Sequence, residues 1–278
     1  MSDELREGWR SVAAGWERRR DAMWEMTQPV SKRLVELLAP EPGETLLELA
    51  AGSGDTGYLA TERIGPEGRL ITSDFVPEIV DSARRRAATL ALENVEFQVL
   101  DAQALDLPDT SVDGVLCRWG YMLTDDPARA LAETRRVLRP GGRVSFTVWG
   151  SAPENPWAST AGRVLVGRGL AEPPDPDAPG PFRLGDRARV DELVAAADLE
   201  LAVHEDFPVA FRYASFDDYW ETSRDLSHTL KRSLDALDGD EIAEVRTELS
   251  HALGGGPPTG DLLELSGITQ IVLARRAA

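Results

Sequence analysis

The sequence predicts an α/β fold: a doubly wound, mainly parallel sheet with helices on both faces and a helical cap. Three observations carry this. Strand-like and helix-like segments alternate from Glu44 to Trp149, a glycine-rich turn joins the first strand of that series to its first helix, and a proline-rich stretch breaks the rhythm only afterwards. Residues 3–26 place Leu5, Trp9, Val12, Trp16, Met23 and Trp24 at near-helical spacing among arginines and glutamates, which predicts an amphipathic helix, broken near Gly15. A second helix is expected from Thr27 and Pro29, with Val30, Leu34, Leu37 and Leu38 as its apolar face; Pro40 and Pro42-Gly43 stop it.

Strands are then expected at 45–49, 69–73, 95–100, 112–117 and 143–149. Helices are expected at 55–63, 77–91 and 127–138, the last opened by Asp126-Pro127 as cap and first-turn proline. This alternation implies right-handed crossovers, and ligands in such sheets bind beyond the C-terminal strand ends where strand order reverses. Seven prolines between Pro153 and Pro181 suggest a lid, within which 157–171 can form one helix. A helix at 186–197, a strand at 199–212, one or two helices over 215–253 and a last strand at 262–275 follow, the last preceded by Gly254-Gly255-Gly256-Pro257-Pro258. The final two strands are expected to pair at one end of the sheet. Three parts emerge: N-terminal helices over 1–43, an alternating core over 44–150, and the lid, inserted helices and last strands over 151–278.

Composition narrows the function. The 278 residues hold 48 acids against 30 bases, a formal charge of −18, with 42% hydrophobic residues. Such a chain can bury a large core, and it lacks the basic footprint that nucleic acid or an anionic membrane surface requires. A small-molecule partner fits better; the sequence leaves homo-oligomerisation open. The single cysteine, Cys117, excludes an internal disulfide framework and a multi-cysteine metal site, so no metal is expected. With no apolar run of membrane-spanning length and no signal-like start, the expected address is the cytoplasm.

The sharpest local feature is Leu47-Glu48-Leu49-Ala50-Ala51-Gly52-Ser53-Gly54-Asp55-Thr56-Gly57, between the first strand and the first helix of the core. Glycines let the backbone approach a ligand, and the next helix offers free N–H groups. A dinucleotide pyrophosphate wants no nearby anion, yet Glu48 and Asp55 flank this loop. A ligand carrying a sulfonium and an ammonium would be attracted instead, although Asp55 is equally read as a plain first-turn helix acid. Asp74 ends the second strand, where a carboxylate can accept both hydroxyls of a ribose. Asp101 ends the third; an acid there can accept from an adenine amine, with the Ala102 N–H free to donate to the ring.

These segments resemble the class I S-adenosylmethionine-dependent methyltransferases, in particular the group similar to ubiquinone and menaquinone biosynthesis methyltransferases. The likeness covers about residues 27–150. Glu48 to Gly54 looks like the first motif of that family, Ser73 to Glu78 like its second-strand acid and turn, Asp101 to Leu105 with Pro108 to Asp113 like its third motif and fourth strand. Arg136-Val137-Leu138-Arg139-Pro140-Gly141-Gly142 is the most specific stretch. The resemblance implies a Rossmann-like, seven-stranded sheet and S-adenosyl-L-methionine as cofactor, with S-adenosyl-L-homocysteine as product. It implies that Ala50, Gly52 and Gly54 wrap the methionine part, with Glu48 at the loop entry. Asp74 would hold the ribose and Phe75 lie beside the adenine, while Asp101 and Ala102 address the adenine edge. Arg118 and Trp119 would pass near the methionine amino group by their backbone, and Trp16 is a candidate lid contact, or else a core tryptophan. Ala50 stands where the family carries glycine, and it fits if its φ is negative.

The expected reaction is methyl transfer to a small, moderately hydrophobic acceptor, with aromatic residues after Trp149 lining or packing the cap. A catalytic base is not identified by sequence. His204, His228 and His251 are the histidines, of which His228 is the candidate if its helix roofs the site. Two alternatives remain at this point: a non-catalytic metabolite-binding protein of the same fold, and an NAD-dependent oxidoreductase using Gly52 to Gly57.

Overall fold

The computed structural model describes residues 2–254 and 262–278, so most of the Gly254 to Pro258 stretch expected before the last strand lies outside the described residues. In chain order the elements are α1 (Asp3–Leu38), β1 (Thr45–Leu49), α2 (Asp55–Ile64), β2 (Arg69–Asp74), α3 (Pro77–Thr89), β3 (Val95–Val99), β4 (Val112–Arg118), α4 (Pro127–Val137) and β5 (Leu138–Trp149). Then come α5 (Pro156–Gly167), α6 (Arg187–Ala196), β6 (Glu200–Tyr213), α7 (Phe216–Leu226), α8 (His228–Asp235), α9 (Gly239–Ala252) and β7 (Leu263–Arg275). Among the described residues the sheet has seven strands in the order β3-β2-β1-β4-β5-β7-β6. The first five run parallel; β7 is antiparallel to both β5 and β6.

Strand order reverses between β1 and β4: the chain steps outward to β3 and then returns to pair Leu49 with Cys117. The crevice at such a reversal is where parallel sheets bind ligands. Leu46, Leu47, Val115, Leu116, Val144 and Phe146 are all buried, because helices cover both faces and the central strands need no polar side.

Helix α1 is one continuous element, which corrects the expected break at Gly15 and the separate helix from Thr27. Gly15 is a close approach instead: a Cβ there would fall on the Asp225 carbonyl at the end of α7. Pro29 is tolerated because the Glu25 carbonyl it leaves without a donor belongs to an exposed residue, where water can replace the lost bond. Downstream, Val30, Leu34, Val35 and Leu38 bury against the sheet. Arg143 of β5 fixes this end, its guanidinium donating to the Leu38 carbonyl at 2.6 Å and the Ala39 carbonyl at 2.7 Å while pairing with Glu44. A cation at a helix C-terminus is the favourable placement.

Other boundaries also move. Strand β5 begins at Leu138 rather than 143, with a register irregularity opposite Val112 and Gly114. The helix expected at 157–171 stops at Gly167, and 215–253 holds three helices, the first two divided at Ser227, whose hydroxyl caps α8. No helix among the described residues is long and apolar enough to cross a membrane.

Candidate active site

At the rim of β1 the chain turns through residues with positive φ: Ala50 at 49°, Gly52 at 58° and Gly54 at 83°. The expectation of a negative φ at Ala50 is therefore wrong; this alanine occupies the left-handed region, which costs an L-residue roughly 1 kcal/mol. Neighbours hold it there. The Ala51 N–H donates to the Ser73 carbonyl at 3.0 Å, and the Ser73 hydroxyl donates back to the Glu48 carbonyl at 2.7 Å. Room for the Ala50 methyl comes from Gly120, where an added Cβ would stand 2.7 Å from that of Ala50.

Asp74 closes the loop from the β2 side. Its carboxylate accepts the Gly52 N–H at 3.3 Å on one oxygen and the Val76 N–H at 3.2 Å on the other. Burial pushes this carboxyl up to about 6, against the pull of the Val76, Gly52 and Phe75 N–H groups. Cys117 is buried as well, its thiol pushed up to about 12 by desolvation, so it is no nucleophile near neutral pH.

A cavity of about 1620 Å³ opens beyond these strand ends. Ala50, Gly52, Asp74, Phe75 and Ala102 face it from the floor, joined by Arg118 and Trp119 at the end of β4. Trp9, Trp16 and Thr27 of α1 and His228 of α8 face it from above. An aromatic wall closes the far side: Trp119 stacks on Trp149 with centroids 4.3 Å apart, and Trp149 meets Trp157 edge-on at 4.9 Å. Tyr213, Tyr219 and Phe182 also face the cavity, whereas Phe211, Phe216 and Trp220 pack outside it.

Three expected site residues do not face this space. Glu48 points behind the loop: its carboxylate accepts the Gly57 N–H at 2.7 Å and the Thr72 hydroxyl at 3.5 Å. Burial pushes it up to about 8, against the Gly57 N–H and the Arg118 charge. Gly54 caps α2 and is pressed onto the Tyr58 ring, and Asp101 turns back to the backbone N–H and side-chain amide of Gln103. Asp55 is neutralised by Arg86 at 3.0 Å and accepts from Ser53, so the argument that two free carboxylates repel phosphate weakens.

Trp16 sits in the roof, its indole N–H donating to the Leu226 carbonyl at 3.2 Å, which is more than a plain core position. His228 lies edge-on to Trp9 at 5.5 Å; burial and then the Arg232 charge lower its pKa, so its imidazole is neutral at physiological pH. His204 bonds Asp191 and Gln270 away from the cavity, and His251 is exposed on α9. Sequence reasoning missed Thr27, Trp9 and Trp149 as wall residues. The signal for Trp149 was available, since it ends a parallel strand on the ligand-binding rim.

Residues 46–142 match the model of a methyltransferase domain family. That match, inside the alternating core, makes the chain similar to methyltransferases over about a third of its length. The chain is similar to the arsenite methyltransferase of Halobacterium salinarum, 39% identical over 109 residues, covering 39% of this chain and 28% of that protein. It is also similar to the demethylmenaquinone methyltransferase of Deinococcus radiodurans, 40% identical over 109 residues, covering 39% of this chain and 44% of the relative. The chain thus spans less than half the length of these two relatives. Among solved structures, the geranyl diphosphate C-methyltransferase of Streptomyces coelicolor A3(2), complexed with Mg2+, geranyl diphosphate and S-adenosyl-L-homocysteine, superposes with a TM-score of 0.53. That likeness runs at 16% identity over 90% of this chain and 79% of the other, and it shows the shared fold.

The residues present suit S-adenosylmethionine, the cofactor that the resemblance implies. Asp74 lines the cavity, and its carboxylate, with four lone-pair sites, has acceptor capacity beyond the backbone N–H groups it meets, as a ribose diol requires. Phe75 and Ala102 line the cavity with it.

Proposed function

We propose that this methyltransferase domain moves the S-methyl group of S-adenosylmethionine to a small, moderately hydrophobic organic acceptor enclosed between α1, the aromatic wall and α7–α8. The cofactor when bound supplies an electrophilic methyl group on a sulfonium. The chain's own work is alignment and exclusion of water. Ala50 and Gly52 present loop backbone to the donor's amino-acid part, Asp74 accepts the ribose hydroxyls, and Ala102 addresses the adenine. Trp16 and the rest of α1 up to Thr27 cover that end of the cavity, while stacked Trp119 and Trp149, with Trp157 edge-on, offer an apolar wall to the acceptor. His228, neutral and facing the cavity, is the proton acceptor for any acceptor hydroxyl that needs one. The names of the similar proteins, which include a quinone and a terpenoid methyltransferase, suit an apolar acceptor.

The observation that carries this reading is Asp74: a buried carboxylate braced from two sides and turned into the cavity beside the glycine loop. Isothermal calorimetry with S-adenosylhomocysteine tests it. Wild-type protein is expected to bind, and Asp74→Ala to weaken binding by at least about 10-fold, the loss of two hydrogen bonds to a charged group. Absence of binding by the wild-type protein would sink the proposal.

A further inference from the structure

Buried hydroxyls around the cavity fall into two kinds. Among the described residues, those that line it and are no more than 5% exposed are Thr27, Thr124, Tyr213, Tyr219 and Thr222. Thr27 donates to the Met23 carbonyl at 2.7 Å, Thr124 to the Tyr121 carbonyl at 2.8 Å and Tyr219 to the Trp157 carbonyl at 2.9 Å. The Tyr213 and Thr222 hydroxyls have no partner among the described residues. Polar side-chain atoms sealed off without a partner belong instead to Arg6, Ser145 and Arg183. These two hydroxyls therefore open onto free space, and the space that both residues line is the cavity. A hydroxyl on a buried side chain that bonds to nothing in the fold costs free energy, so its place there needs a reason.

Topology puts the two near each other. Tyr213 ends β6, and its ring meets that of Tyr219 edge-on with centroids 5.2 Å apart. Tyr219 and Thr222 stand three residues apart on α7, on the helix face that also turns Leu226 to the cavity. Burial, and then the neighbouring Tyr219 and Asp218, push the Tyr213 phenol up, so it stays protonated and has a hydrogen to give. Neither hydroxyl carries a charge, so neither offsets the cost of desolvating a ligand carboxylate. A carbonyl oxygen is neutral, has two lone pairs, and can accept from both hydroxyls at once. We propose that Tyr213 and Thr222 form a recognition site for a neutral carbonyl oxygen on the methyl acceptor. The pair then selects acceptors that bear this group and fixes the edge of the molecule that lies along α7, leaving another edge for the methyl group. This rests on the reading of the cavity as a donor and acceptor site, and it makes Tyr213 and Thr222 specificity residues rather than carriers of a proton.

Calorimetry on protein saturated with S-adenosylhomocysteine tests this with acetophenone and ethylbenzene, which share a shape and differ in the carbonyl oxygen. Y213F and T222V each remove one hydroxyl and keep the ring or the branched side chain. Each variant is expected to weaken acetophenone by about 2- to 10-fold, the range of one neutral hydrogen bond, and to leave ethylbenzene unchanged. In infrared difference spectra the acetophenone C=O stretch should lie at lower frequency in wild type than in Y213F, because a hydrogen bond weakens the carbonyl bond. Neither substitution orphans a partner, so the urea midpoints of the ligand-free variants should equal or exceed that of wild type. A lower midpoint would show the hydroxyl already engaged within the fold and would overturn the inference. So would equal losses of both probes, unchanged acetophenone affinity in either variant, an unshifted C=O stretch, or no acetophenone binding by the wild-type protein. In each of those cases retained S-adenosylhomocysteine binding leaves the proposed function standing. Failure of the wild-type protein to bind S-adenosylhomocysteine overturns both.

Discussion

Glu48 and Asp74 lie near the same rim and are both buried carboxyls, yet they face opposite ways. Asp74 meets the cavity; Glu48 faces back and ties β1 to the first turn of α2. Because the folded chain holds the Glu48 proton far more tightly than an unfolded one, this group favours folding at low pH, and that contribution is lost as pH rises from about 4.5 to about 8. Glu48→Gln keeps the acceptor for Gly57 and removes the titration. Its stability relative to wild type, from urea unfolding midpoints, should be unchanged near pH 4.5 and improve steadily up to about pH 8. Parallel pH profiles for the two proteins would show that Glu48 is not proton-linked to folding. Sequence could mark this acid as exceptional, since a carboxylate inside an apolar parallel strand must have a partner. It could not show which face the side chain takes. The same holds for Ala50: its left-handed φ depends on Gly120, seventy residues away, giving room to its methyl group.

Elements of the core were legible because periodicity and punctuation agree there: strands and helices from 45 to 137 fall within two or three residues of expectation. Helix α1 was not, because Gly15 and Pro29 are local breakers whose effect is overridden by packing. Its first half is tied to α7 by Arg18 and Arg19, which pair with Asp225 at 2.6 and 2.8 Å, and by Trp16 on the Leu226 carbonyl. Ion pairs at or near the surface contribute little singly, so the contact depends on how closely the backbones approach. Gly15 sets that approach. Gly15→Val should force α1 away from α7 and destabilise the fold by about 1–3 kcal/mol, the range for overpacked sites, visible as an earlier urea midpoint. A midpoint equal to wild type would mean that the two helices do not meet as described.

At the scale of the whole molecule, the division into an N-terminal cover, a core and a C-terminal cap reads well along the chain but is less separate in space. The last half of α1 buries against the sheet, and β6 and β7 pair at one end of that sheet, as expected of the final two strands. What remains over the cavity is α1 up to Thr27, α5 with the proline-rich stretch 171–186, and α7 with α8, drawn from three distant stretches of sequence. No local pattern can announce that convergence, since each stretch has its own amphipathic logic and only tertiary packing turns their faces to one space. A ligand filling the cavity should therefore bind the three stretches together. With S-adenosylhomocysteine at a hundred times its dissociation constant, linkage adds about 2.7 kcal/mol of stability and raises the melting temperature by about 5 °C for a chain of this size. Amide exchange should slow in α1, α5 and α7–α8 as well as in the glycine loop, because opening any wall then requires losing the ligand. Protection confined to the loop and to residues 74–76 would show instead that the helices roof a space the donor does not use, and that closure over the acceptor is a separate event.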